Sequence, residues 1–262
     1  MVADTLLEAN TPVKTKQETH QHTRTLLPIM GSDEMLEGDI FPETSTSECI
    51  EAAFRISAAS LEETPKILEQ LQALDIETFD SLYRLDQRLR SGSFGTVYEC
   101  QHINYPDQIY AVKVIDRTKL KPKDDKAIFT EVATLRELHP VQNVIKIIDF
   151  FVEPDKLYMV QMLARGGDVF DRLTARTKYN EMDARSLAVT LIQTMAQIHE
   201  RGIVHRDLKP ENLLLREEEN DTGILVADFG FAKRCPKGSY LRTRCGTTNS
   251  CRRMLALCVV LP

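Results

Sequence analysis

The sequence predicts an α+β fold in which a strand-rich half is followed by a helix-rich half, behind an acidic head with little to fold around. Three observations carry this. Ile109-Tyr110-Ala111-Val112-Lys113-Val114-Ile115 is alternating and β-branched, the pattern of a strand. Leu187, Leu191, Ile192, Met195 and Ile198 recur at helical spacing, the pattern of an amphipathic helix. Charge divides the chain: residues 1–82 hold 16 acidic and 5 basic side chains, net −11, whereas the remaining 180 carry net +5. At 262 residues and 42% hydrophobic, the chain can bury one sizeable core and carry a tail.

Residues 1–60 are acidic, aromatic-poor and rich in Thr, Ser and Pro, so they read as a largely disordered tail, with a short helix over 47–59. Within 61–82, a short helix and linker, Thr64 is placed as N-cap and Pro65 at the first helical position of a helix to Leu74. Its apolar stripe, Ile67, Leu68, Leu71 and Leu74, is expected to pack on the strand-rich half or on nothing; a docking or autoinhibitory segment is the sharper alternative. Strands are expected over 83–89, 95–102 and 108–116, then a helix over 127–137 and strands over 145–151 and 157–161. A short helix over 169–174 and a long one over 182–201 complete the periodic part.

The longest apolar run, Met254 to Leu261, is eight residues, far short of the ~20 needed to span a bilayer. Six cysteines, at 49, 100, 235, 245, 251 and 258, show no paired C-x-x-C spacing, so reduced thiols and a cytoplasmic or nuclear setting are expected. No nucleic-acid partner is expected. No Asp-x-Asp-x-Asp-Gly calcium loop occurs in the chain.

Chemistry is written most densely at His205-Arg206-Asp207-Leu208-Lys209-Pro210-Glu211-Asn212, followed sixteen residues later by Asp228-Phe229-Gly230. Upstream, Leu89-Arg90-Ser91-Gly92-Ser93-Phe94-Gly95-Thr96-Val97 is a glycine-bearing turn just before the strand that holds Lys113. Absent side chains there let backbone N–H groups approach phosphate. Glu131 lies on the helix that follows, spaced to pair with Lys113.

Together these segments resemble a eukaryotic protein kinase of Ser/Thr type, most like the calcium/calmodulin-dependent group, whose phrases 166–173 and 228–233 are the nearest echoes. The resemblance implies a two-lobe kinase-like fold with a complete N-lobe at 83–161, a hinge at 162–166 and the start of a C-lobe at 167–247. It implies ATP and Mg2+ as cofactors. Asp207 would accept the substrate hydroxyl's hydrogen bond, Lys209 would sit beside the γ-phosphate, Lys113 would bind the α and β phosphates, and Glu131 would hold Lys113. Asn212 and Asp228 would be the metal ligands. Leu89, Gly92, Ser93, Phe94, Gly95, Val97, Ala111, Met162, Ala164 and Leu214 would line the nucleotide site, with Gln161 as gatekeeper.

Asp168 and Glu211 would be counted with that nucleotide site too, and they fall where basophilic kinases place carboxylates that meet arginine on the substrate. Protein substrates with basic residues before the acceptor Ser/Thr are therefore implied. So is a calcium sensor or upstream kinase acting on Thr243, with Arg206 pairing with the phosphate. One residue departs from the family: Arg90 stands where its first glycine usually is.

The resemblance runs from Tyr83 to about Thr247, and 248–262 does not match it. The expectation is thus a C-lobe that stops short of the family's substrate platform, leaving the apolar face of the 182–201 helix uncovered. Leu135, Ile147, Phe229 and His205 would form the family's regulatory stack. The alternative reading is a noncatalytic nucleotide-binding or kinase-regulating protein.

Overall fold

The computed structural model of the chain describes residues 47–73, 77–92, 95–175 and 180–236. The expectations for 1–46 and for Leu74, Ser93, Phe94, Thr243 and Thr247 lie outside the described residues.

Two helices come first, α1 (Ser47–Ala58) and α2 (Thr64–Gln72), then a single turn, α3 (Phe79–Leu82). Five strands follow: β1 (Tyr83–Ser91), β2 (Thr96–His102), β3 (Tyr105–Asp116), and, after α4 (Pro122–Glu137), β4 (Ile147–Val152) and β5 (Lys156–Met162). They form one antiparallel sheet in the order β1-β2-β3-β5-β4. Beyond it lie α5 (Val169–Ala175), α6 (Glu181–Glu200), and the short strands β6 (Ile203–Val204), β7 (Leu213–Leu215), β8 (Ile224–Val226) and β9 (Lys233–Arg234), paired β6–β9 and β7–β8.

The sheet has a core on each face, and strand alternation explains why. On β5, Leu157 and Met159 point into a large core with α1, α4 and the first C-lobe elements, whereas Tyr158 and Val160 point into a smaller one. The smaller core is aromatic: Phe79 of α3 stacks on Tyr158 with ring centroids 4.4 Å apart and on Tyr83 at 5.6 Å. There the Tyr83 hydroxyl donates to the buried Asp149 carboxylate.

Several boundaries differ from expectation, each for a local reason. α4 begins at Pro122, five residues before Ala127, because Pro122 opens its first turn and Asp124 and Asp125 follow, with the Asp124 carboxylate accepting Lys121 N–H at 3.3 Å. β3 begins at Tyr105 because β2 turns within two residues, His102 facing Tyr105. Thr64 is not the N-cap of α2; Glu63 is, and the Thr64 hydroxyl donates to the Ser60 carbonyl at 2.9 Å. One turn upstream, Ser60 N–H donates to Glu63 Oε2 at 2.9 Å and Glu63 N–H to Ser60 Oγ at 3.3 Å, a reciprocal box that sets the entry earlier.

The 1–60 segment, expected to be largely tail, contributes core from residue 49 onward. Cys49, Ile50, Ala52, Ala53 and Ile56 of α1 are all buried, since α1 packs along α4 and on β4. The α6 face expected to be bare is partly covered. Ile198 is buried, and Leu187, Leu191 and Met195 pack against the large core; Ile192, at 56% exposed, remains outside with Met182 and Val189.

Candidate active site

Lys113 enters the cleft from β3, whose register places it opposite Val97 of β2 and Met159 of β5. Glu131, one face of α4 away, meets its ammonium at 3.2 Å and is 5% exposed at the side chain. Burial alone would pull the Lys113 ammonium down, but Glu131 and then Asp228 outweigh it and hold its pKa above the usual lysine value. Lys113 is therefore a fixed positive charge, aimed where α4 and the Asp228 turn converge. Phe229 N–H also bonds the Glu131 carboxylate. A Cβ built on Gly230 would lie 3.3 Å from Asp228 Oδ1 and 3.6 Å from Glu131 Oε2, so the two carboxylates flank that turn.

The catalytic-loop segment is fastened to the same turn by buried polar contacts. His205, 1% exposed, bonds the Ala227 carbonyl through Nε2 at 3.0 Å and accepts Asp207 N–H on Nδ1 at 3.3 Å. This pattern assigns a neutral imidazole with its proton on Nε2, in keeping with burial, which pushes the His205 pKa below its ordinary value. Ala227 N–H donates to the Asn212 carbonyl at 2.9 Å, and Asn212 Nδ2 donates to the Asp207 carbonyl at 2.9 Å. Asp207, 1% exposed, receives the Lys209 ammonium at 2.9 Å. Arg206 and Asp228 both sit at positive φ, 68° and 60°, a costly backbone for side-chain-bearing residues, found here at the two turns that present Asp207 and the Asp228 carboxylate. Arg206 is partly committed, since its Nε donates to the Phe231 carbonyl at 2.7 Å.

The remaining candidate residues lie on the sheet and on the segments that follow it. Val97, Ala111, Met162, Ala164 and Leu214 are half-buried, as expected for walls that a ligand would finish covering. Ala111 faces Gln161 across β3–β5, and Leu214 is bridged by its backbone to Asp168. Leu89 is 44% exposed on the outer rim. Gly92 N–H donates to the Gly95 carbonyl at 2.8 Å, closing the turn; Ser93 and Phe94 at its tip lie outside the described residues. Gly95 has no substitute, because a Cβ there would run into the Val114 carbonyl. Glu211 is half-buried on the 3-10 turn Pro210–Asn212, which packs on α5 just after Asp168.

Leu135, Ile147 and Phe229 belong to one buried cluster, and the His205 ring lies 4.7 Å from that of Phe229, so one core reaches from α4 and β4 to the Asp228 turn. Oxygen donors of Asn212 and Asp228 suit a hard divalent cation such as magnesium. The Lys113 ammonium suits phosphate.

This geometry converges with the sequence comparison. The protein kinase domain model matches residues 83–251, more than half of the chain. The chain belongs to the protein kinase family. Among similar proteins, myosin light chain kinase A of Dictyostelium discoideum is 37% identical over 169 residues, covering 64% of this chain and 56% of that protein. Calcium/calmodulin-dependent protein kinase type I of Schizosaccharomyces pombe is 38% identical over 170 residues, covering 63% of this chain and 50% of its own. Type IV of Mus musculus is 36% identical over 170 residues, covering 64% and 35%. The kinase chain thus spans about half the length, or less, of the curated relatives it matches.

Reading the sequence missed what Arg90 reaches. Its Nη1 meets Asp168 Oδ2 at 2.8 Å, joining β1 of the N-lobe to the start of α5 in the C-lobe. A long cationic side chain at a glycine position was the available signal, but the partner 78 residues away was not legible.

Proposed function

We propose that the chain is a protein serine/threonine kinase that transfers the γ-phosphate of ATP to Ser or Thr of protein substrates, with Mg2+ as cofactor. The observation that carries this reading is the convergence of the Lys113–Glu131 ion pair, buried Asp207 and the Asp228 turn on one cleft. Magnesium would be held by Asn212 and Asp228, where it would neutralise phosphate charge. Lys113 orients the α and β phosphates, and Glu131 keeps its ammonium from swinging away. Asp207, held by its N–H to His205 and by Lys209, accepts the hydrogen bond of the incoming hydroxyl and aligns it. Lys209 offers positive charge beside the transferring group.

Asp168 and Glu211 support a basophilic preference by matching the positions of the carboxylates that basophilic kinases use; substrate arginine would have to displace Arg90 from Asp168. The Lys209 arrangement supports Ser/Thr over Tyr. The likeness to calcium/calmodulin-dependent kinases supports a calcium sensor or an upstream kinase acting on Thr243 as regulator. A reducing setting in cytoplasm or nucleus would suit Cys49 and Cys100, which are buried as free thiols.

The test is labelled-ATP transfer to two peptides that differ only by Arg or Ala three residues before the Ser. Preference for the Arg peptide that weakens in Asp168→Asn and Glu211→Gln supports the reading. Equal use of both peptides by every variant rules out the basophilic part, and absence of transfer to either rules out the kinase activity.

A further inference from the structure

Helix α1 lies before the 83–251 span that matches the kinase family, yet one face of it is buried: Cys49, Ile50, Ala52, Ala53 and Ile56. Ala53 and Ile56 are 0% exposed and Cys49 1%. Cys49, Ile50, Ala53 and Ile56 follow i, i+1, i+4, i+7 spacing, a stripe that faces one side only. That stripe lies along α4 and on the edge strand β4, in the same cluster as Ile128, Phe129, Val132 and Leu135 of α4. Two small residues, Ala52 and Ala53, let the helix axes approach closely.

The main neighbours of α4 among the described elements are α1 and β4. α4 is also the element that must hold one carboxylate, Glu131, within reach of a lysine on another element. A helix carrying such a residue needs support on the side away from the cleft, or it can swing outward and lose the pair. α1 supplies that support, and its end is tied down: Lys126 of α4 donates through Nζ to the Ala59 carbonyl, at the negative end of α1. α2 closes over the outside through Leu68 and Leu71, with Arg55 donating to Gln70 Oε1 at 3.2 Å.

We propose that α1 is a positioning element for phosphoryl transfer: its buried face, centred on Ala53 and Ile56, holds α4 where Glu131 meets Lys113. The proposal rests on the kinase reading above. Misplacing a catalytic group by about 1 Å can cost about 10²-fold in rate, so α1 belongs to the catalytic unit although it touches no substrate.

The experiment compares Ile56→Asp, its conservative counterpart Ile56→Val, and Lys126→Gln, each in the native and the Glu131→Gln background of the full chain. Transfer rate, the dissociation constant for Mg-ATP and amide hydrogen exchange are measured. Ile56→Asp is expected to lower the rate about 10²-fold, Lys126→Gln a few-fold, and Ile56→Val hardly at all. Exchange should rise in α4 while β1 to β3 stay protected. In the Glu131→Gln background neither variant should lose more, because both act through Glu131.

Losses that multiply in that background overturn the proposal, as does unchanged α4 exchange. If Ile56→Asp unfolds the whole sheet, Lys126→Gln decides: no loss of rate or α4 protection in it overturns the proposal. Loosened α4 and weakened Mg-ATP binding, in a native chain that transfers no phosphate, would uphold the positioning role and sink the kinase reading instead.

Discussion

Arg90 and Asp168 form an ion pair at 2.8 Å across the mouth of the nucleotide cleft, the arginine side chain 55% exposed and the aspartate 5%. The carboxylate also caps α5, accepting Asp171 N–H at 2.8 Å on its other oxygen. Asp168 therefore stays in place if Arg90 is removed, and what is lost is the tie between the lobes. Exposure of the guanidinium keeps that tie weak, about 0.2–1 kcal/mol. Arg90→Ala should speed dissociation of a fluorescent ATP analogue a few-fold at low salt, with the difference vanishing near 1 M salt. A salt-independent difference would mean that Arg90 acts by packing and not by charge.

Lys113→Met removes the ammonium and leaves Glu131 buried beside Asp228. Two like charges without their common counter-ion should loosen α4 as well as abolish productive ATP orientation. The expected result is weaker Mg-ATP binding by titration calorimetry together with a lower melting temperature. Unchanged affinity would show that the nucleotide does not use Lys113.

His205 gives a pH signature. Its folded pKa is depressed by burial, so above the unfolded value near 6.5 both states are neutral and its contribution is fully present. As pH falls below 6.5, the unfolded chain binds a proton that the native chain resists. Stability is then lost at up to about 1.4 kcal/mol per pH unit until the lower folded pKa is passed. His205→Asn should be less stable at pH 7.5 but show a flatter decline between pH 6.5 and 5. Parallel declines in urea unfolding would mean that another group carries the acid sensitivity.

Gly95→Ala tests the approach of β2 to β3. Its methyl group would strike the Val114 carbonyl, one residue from Lys113, so the hairpin must shift. A destabilisation of about 1–3 kcal/mol is expected, with a higher KM for ATP. A fully stable variant with native KM would contradict the close packing.

Much of the fold was legible because it is local and periodic. β3 reads off its alternation and α6 off its apolar spacing; the Asn180 cap, whose side chain accepts Met182 N–H at 3.0 Å, came only with the structure. The candidate site could be named from the sequence because Asp207, Asn212, Asp228 and Lys113 stand in short motifs. What the sequence did not show is tertiary. The small residues of α1 acquire their meaning only against α4, and Arg90 acquires its meaning only from Asp168. Thr64-Pro65 does open α2, but the cap falls one residue earlier than expected, at Glu63, because the Ser60–Glu63 box carries no apolar signal.

The most direct measurement is phosphate transfer from labelled ATP with magnesium to an Arg-x-x-Ser peptide by the full chain, beside Asp207→Asn. Transfer by the native chain and a loss of about 10²–10⁴-fold in Asp207→Asn is the predicted result. Equal transfer by both, or none by the native chain, would contradict the account.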